Sequence, residues 1–300
     1  MTMRVELGAG PLSIADVVAI ARGGAQVHLT EEALSAIAAS RAVVAGLAGD
    51  TVPHYGISTG FGALAVKRIP TDQRAQLQRS LVRSHAAGMG PEVEREVVRA
   101  LMTLRLSTLA TGRTGVRPET AQTYAAILNA GITSVVREYG SLGCSGDLAP
   151  LAHCALVAMG EGEAREADGT LVDGGTALRH AGITPVELVE KEGLALINGT
   201  DGMLGQLCLA ITDLRALLDV ADITTALSVE ALRGTDAAFA PDLQALRPHP
   251  GPARSPAHLR TPLAGSPIIS APRAHPPPPL HAPSPLRLPT CHPPPPRPAP

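Results

Sequence analysis

The stretch Gly140-Ser141-Leu142-Gly143-Cys144-Ser145-Gly146-Asp147-Leu148-Ala149-Pro150-Leu151-Ala152-His153 turns from loop into helix, and the rest of the chain is organised around it. Gly140, Gly143 and Gly146 keep the loop free of side-chain bulk and allow φ > 0. Asp147 is placed to N-cap the helix, and Pro150 fits its first turn, where a missing N–H costs little. Leu151, Leu156 and Val157 mark that helix as buried. A small Ser145 held at the positive end of a helix is a place for chemistry. General-purpose readings fit it poorly. A nucleophile elbow needs G-x-S-x-G after a strand, and Asp147 stands at the last position. A Cys144/His153 thiol pair has no third, orienting group nearby. Taken alone, the stretch is more simply a Gly-rich connection into a core helix.

Composition narrows the class. Three hundred residues suffice for one large domain or two small ones. Ala, Leu and Gly abound, aromatic residues are 2% and Trp is absent, which favours helix packing over a β-sandwich. A net charge of -2 gives no reason to expect a nucleic-acid partner. Cys144, Cys154, Cys208 and Cys291 show neither metal nor disulfide spacing, as suits a reducing cytosol. No basic segment followed by an apolar run opens the chain, and no run reaches membrane-spanning length. A soluble cytoplasmic protein without a membrane partner is the expectation.

The apolar pattern is helical throughout. Residues 11–23 form a short amphipathic helix through Ile14, Val17, Val18 and Ile20. Thr30 caps a core helix with Glu31 and Glu32 in its first turn. After Pro70, Leu77, Leu81 and His85 share one helix face. Pro91 is expected to open a helix running to about Gly112, and Pro118 another to about Ala130. Asp168-Gly169 suggests a small hairpin, the main β-structure expected. Helices follow from Leu204 to about Val220 and near 225–232. Between these lie two more Gly-rich segments, His54-Tyr55-Gly56-Ile57-Ser58-Thr59-Gly60-Phe61-Gly62 and Gly193-Leu-Ala-Leu-Ile-Asn198-Gly-Thr-Asp-Gly202. Each alone reads as a turn, and a lone His85 on an apolar face as a satisfied core residue.

Together, four stretches resemble the histidine/phenylalanine ammonia-lyase family. Residues 140–153 match its G-S-x-G-x-S-G-D-L-x-P-L-x-H signature, residues 55–62 its Y-G-x-x-T-G-F-G element, and residues 77–90 its active-site helix. Residues 193–200 match G-L-A-L-x-N-G-T. The resemblance covers about residues 5–268. It implies a mainly α fold: a long-helix bundle of the fumarase/ammonia-lyase type, an N-terminal active-site domain and minor β. It also implies that Cys144-Ser145-Gly146 cyclises into the electrophile 4-methylideneimidazole-5-one (MIO), with no metal and no diffusible cofactor. By the same resemblance Tyr55 is the base for β-proton removal, His85 binds the substrate imidazole, and Asn198 contacts the amino-acid portion. The Ser84-His85 pair is the form of histidine-specific members, so the implied reaction is deamination of L-histidine to trans-urocanate in a homotetramer. Tyrosine or phenylalanine ammonia-lyase, or an aminomutase, is the alternative within the family.

The expected division is an MIO-bearing domain over 1–200, the start of a central helical bundle over 201–247, and a Pro-rich tail over 248–300. Fourteen prolines fall in the last thirty residues, and no Asp or Glu follows Asp242. Such a tail is expected to be non-helical, because each interior Pro removes a donor and clashes with the preceding turn. The family element Q-D-x-Y-S-L-R, which supplies a carboxylate-binding Arg, does not follow Ile268. A frameshift with early termination is the expected origin, which removes active-site residues that the resemblance places further on and leaves the activity of this chain open. Rival readings are a non-catalytic helical scaffold with a Pro-rich docking tail and, more distantly, a Ser hydrolase.

Overall fold

Helices begin where the sequence supplies a capping oxygen. Ser13 Oγ accepts from Asp16 N at 3.1 Å while the Asp16 carboxylate accepts from Ser13 N at 3.3 Å, a reciprocal capping box that opens α1 (Ile14–Ala21). Thr30 Oγ1 accepts from Ala33 N at 3.2 Å and opens α2 (Glu31–Ala48). The structure, a computed structural model, describes residues 3–142, 146–246 and 250–271. The remaining elements are β1 (Arg4–Leu7), β2 (Gln26–Leu29), α3 (Thr71–His85), β3 (Met89–Glu92), α4 (Arg95–Ala110), α5 (Pro118–Asn129), β4 (Thr133–Ser134) and β5 (Arg137–Tyr139). They continue with α6 (Leu148–Ala158), β6 (Glu163–Arg165), β7 (Leu171–Asp173), α7 (Gly174–His180), α8 (Glu192–Ile197), α9 (Asp201–Ala231), α10 (Pro241–Ala245), α11 (Pro250–Leu263) and α12 (Pro267–Ser270). Among the described residues no helix is long and apolar enough to cross a membrane.

The chain divides into two compact units, residues 1–210 and 211–300. In the first, α4 is the axis: eleven of its 16 residues are buried, so it is enclosed on nearly every side. Ile20, Leu106, Leu109, Ile127, Leu151 and Leu196 belong to the core around it. The β-content is larger than one hairpin. β1 and β2 pair in parallel, with Val5, Leu7, Val27 and Leu29 turned into the core. β6 and β7 form the hairpin expected around Asp168-Gly169, and β4 adds to it as a third strand. β3 and β5 pair antiparallel. Pro91 therefore does not open a helix. It sits in β3, a strand of a two-stranded sheet where its missing N–H is tolerated, and α4 starts four residues later.

After residue 200 two expectations change. α9 is one helix of 31 residues instead of two, because nothing between Leu217 and Thr225 terminates it: no Gly or Pro occurs there. Its Leu214, Leu217, Val220, Ile223 and Leu227 are exposed. The expectation of a non-helical tail from 248 onward fails over its first part. α11 is helical with Pro256 and Pro262 inside it. Burial outweighs propensity there: Leu259 and Leu263 form a cluster with Ala226, Val229 and Phe239. Ser255 Oγ also donates to the Asp222 carboxylate. The prolines from 272 to 300 lie outside the described residues.

Candidate functional site

The segment carrying Tyr55 is an ordered loop built on one carbonyl. His54 O accepts from Ile57 N, Ser58 N and Thr59 N at 3.1, 3.0 and 3.2 Å. Ser58 Oγ returns a bond by accepting from His54 N at 2.9 Å. Gly56 stands at φ +71, a left-handed conformation costly for other residues. His54 Nε2 lies 2.9 Å from an Asp50 carboxylate oxygen, and this bond holds the Asp50 carboxyl below its ordinary range. The Tyr55 ring stands edge-on to Phe61 with centroids 6.1 Å apart. Its hydroxyl accepts from Gly62 N at 3.3 Å, and the residue is 52% exposed.

His85 ends α3. Its Nδ1 lies 2.9 Å from Leu81 O and 3.1 Å from Ser84 Oγ. A carbonyl can only accept, so Nδ1 carries the proton and Nε2 is left as an acceptor. Two turns back, Gln78 is fully buried and links two other segments. Its Oε1 accepts from Gly193 N at 2.9 Å, and its Nε2 reaches Gly56 O at 3.5 Å. The helix before Asn198 and the loop after Tyr55 thus meet at one side chain of α3.

α8, only six residues long, is anchored by the buried Glu192. Its carboxylate accepts from Arg117 N and Arg117 Nη2 at 2.9 Å, Thr120 Oγ1 at 2.6 Å and Val189 N at 3.1 Å. α8 ends at Asn198, exposed and non-helical at φ -95 and ψ 95. The turn after it meets the central stretch. Gly199 O accepts from Asp147 N at 2.6 Å, and Gly146 at φ +123 lies against the same carbonyl. A Cβ on Gly146 would sit 2.7 Å from Gly199 O, so both conformation and space demand glycine.

Asp147 corrects its expected role. Its side chain does not cap α6. It accepts instead from Ser141 Oγ and, at 2.9 Å, from Met203 N in the first turn of α9. The carboxylate thus serves the positive end of the longer helix. His153, one turn into α6, accepts from Gly88 N at 3.1 Å through Nε2, and burial pushes its pKa down. That lone pair is committed to Gly88, which removes His153 as a free base for Cys144. Burial pushes the Cys154 thiol up to about 12.

Gly146, Asn198, His85 and Tyr55 each belong to segments joined by these bonds. Cys144 and Ser145 lie outside the described residues. The seat of Gly146 suits the ring nitrogen of an MIO group, because that nitrogen must approach the carbonyl of residue 144 without side-chain hindrance. Among the described residues no cluster of three His, Cys, Asp or Glu gathers to hold a metal ion. Sequence patterns missed Gln78, Glu192 and a buried ion pair between Arg105 and Asp201. A charged residue inside the apolar run of α4 was the available signal for Arg105.

Comparison with known proteins agrees in one direction. A sequence profile described as aromatic amino acid lyase matches residues 12–287. The chain is 63% identical over 262 residues to a histidine ammonia-lyase of Streptomyces avermitilis and 62% identical to one of Streptomyces coelicolor. Each alignment covers 87% of this chain and 51% of the relative, so the chain spans about half the length of the curated relatives it matches. Among solved structures, a tyrosine aminomutase from Streptomyces globisporus matches with TM-score 0.83 at 38% identity, covering 88% of this chain and 50% of that one. Histidine ammonia-lyase from Trypanosoma cruzi matches with TM-score 0.80 at 37% identity, covering 86% and 50%. The mainly helical fold is that of these lyases and aminomutases.

Proposed function

Because the chain belongs to the aromatic amino acid lyase family, we propose that it carries the electrophile-forming part of an enzyme that removes ammonia non-oxidatively from L-histidine. The observation that carries this reading is the seat of Gly146, left-handed and pressed onto Gly199 O where no side chain fits. MIO made from Cys144-Ser145-Gly146 would supply an electrophilic methylene at that place. The chain's own residues then divide the remaining work. Tyr55 takes the β-proton; its hydroxyl accepts the Gly62 N–H, a contact that fixes where the phenol oxygen stands. His85 offers Nε2 as acceptor to an imidazole N–H, because Leu81 O holds the other nitrogen as donor. Asn198 orients the amino-acid portion from the end of α8. Cytoplasmic location and assembly as a homotetramer complete the proposal.

An apolar pocket cannot distinguish imidazole from phenyl by hydrogen bonding, whereas a site with a committed acceptor can. His85 and the high identity to histidine ammonia-lyases therefore favour histidine over the tyrosine substrate suggested by the aminomutase likeness. The test is product formation by the purified chain from histidine, phenylalanine and tyrosine, read as urocanate, cinnamate and coumarate absorbance. Urocanate alone is expected, and His85→Phe should move preference towards phenylalanine. Cinnamate or coumarate as the main product of the parent would overturn the substrate reading.

A further inference from the structure

The turn against Gly146 is gripped from below by a residue to which no role has yet been assigned. Arg105 lies in the middle of α4 and is 2% exposed. Its Nη1 donates to Ala195 O at 3.0 Å, in the last turn of α8. Its Nη2 donates to the Asp201 carboxylate, at the first residue of α9. One guanidinium therefore bridges the two sides of the Asn198–Asp201 turn. Thr108 Oγ1 steadies the same carboxylate from 3.4 Å. Between these anchors the Gly199 α-carbon rests on the guanidinium, and a Cβ there would overlap Arg105 Nη2. The other side of Gly199 is its carbonyl, which receives Asp147 N and covers Gly146. The stack runs Arg105, Gly199, Gly146 without a gap.

We infer that Arg105 is a positioning residue for backbone ring closure: it fixes the Asn198–Asp201 turn as the anvil against which Gly146 is bent. This rests on the proposed cyclisation of residues 144–146. In that reaction the Gly146 nitrogen bonds to the Cys144 carbonyl carbon. The carbonyl oxygen leaves as water with the Gly146 and Ser145 amide protons. Ser145 loses its hydroxyl and α-proton as a second water, leaving the methylene. No oxidant or metal enters the balance. What the reaction lacks in solution is geometry, because an extended backbone keeps that nitrogen away from the carbonyl, and small misplacements cost large factors in rate. Stability alone does not account for Arg105. Its Nε has no hydrogen-bond partner among the described residues, and a buried ion pair replaced whole, both partners together, by apolar residues is often no less stable.

Intact mass of the purified full-length chain reads the reaction without any assay of activity, since closure removes two water molecules. The parent is expected to be lighter by both waters. Leu106→Ala, an equally buried site one residue along α4, should lower the unfolding midpoint yet leave the dehydrated mass unchanged. Arg105→Met, made together with Asp201→Asn so that no buried charge is left unpaired, should fold and dehydrate on the order of a hundredfold more slowly. Arg105→Lys, which keeps one ion pair but not the two-sided grip, should fall between. A folded double variant that dehydrates at the parental rate overturns the inference. Failure of both Arg105 variants to fold, while Leu106→Ala folds, overturns it in favour of a purely structural role. A parent of unmodified mass would instead overturn the proposed cyclisation itself, and this inference with it.

Discussion

The two Gly-rich segments proposed to meet the substrate, the Tyr55 loop and the Asn198 turn, are held by opposite means. The Tyr55 loop closes on itself. Its bonds to His54 O span three to five residues, and its tyrosine is half in solvent. The Asn198 turn makes few bonds of its own. It is fixed by side chains and amides far away in sequence: Asp147 to Met203 across 56 residues, Arg105 to Asp201 across 96. The difference follows from what each has to do. A proton acceptor, the role proposed for Tyr55, tolerates some freedom and needs contact with water or substrate. A surface that bends a backbone must not yield, so it is backed by buried charge in a low-dielectric interior.

The sharpest test of that contrast is Gly199→Ala. A Cβ would overlap Arg105 Nη2 and the Asp201 carboxylate, which cannot separate without leaving two buried charges unpaired. A loss of about 3–5 kcal/mol is expected, read as the shift of the urea midpoint. Gly56→Ala should cost less, about 1–2 kcal/mol for a left-handed alanine. The atoms it meets, Leu194 Cδ2 and a Phe61 ring carbon at 3.1 Å, are ends of side chains that can give way. If the two losses came out in the reverse order, the contrast between rigid turn and yielding loop would be wrong. Ser58→Ala leaves the His54 N–H without its acceptor and should cost about 1 kcal/mol, confined to the loop. Hydrogen exchange at Met203 should not respond to it.

The smallest effect expected is a pH dependence from His153. Its folded pKa lies below the ordinary value, chiefly through burial, and Nε2 must stay unprotonated to accept from Gly88 N. The unfolded chain binds that proton more readily. The stability contributed by neutral His153 is therefore present above the unfolded pKa of about 6.5 and is lost as pH falls below it towards the folded value. Replacing His153 with Gln should flatten this acid limb of the urea midpoint against pH. An unchanged slope would mean that another group carries it.

The same division explains what could be read from the sequence. Thr30, Pro118 and the Asp168-Gly169 turn announce elements through residues three or four positions apart, and those elements are present. Pro91 misled because its strand exists only by pairing with β5, some 46 residues on. The prolines of α11 misled because Leu259 and Leu263 find burial that local propensity does not foresee. In the site, the Ser84-His85 contact is adjacent in sequence and legible. The approach of Gly146 to Gly199 and the link from Gln78 to Gly193 are not, because each depends on where a distant helix ends. Asp147 shows the limit most clearly. A cap was legible from its residue type, but which helix it caps depended on tertiary placement.

The Asp147–Met203 bond acts as a clasp: α6, β6, β7, α7 and α8 all lie on the loop it closes. Closing a loop of that length costs chain entropy that its contacts must repay. The bend at Gly146 rests on Gly199 O, so it requires both ends of that loop to be in place. On the proposed chemistry, the irreversible loss of two waters would follow only after the clasp has shut. A chain of reduced mass would carry a permanent record of having once reached its native state, even after it is later unfolded.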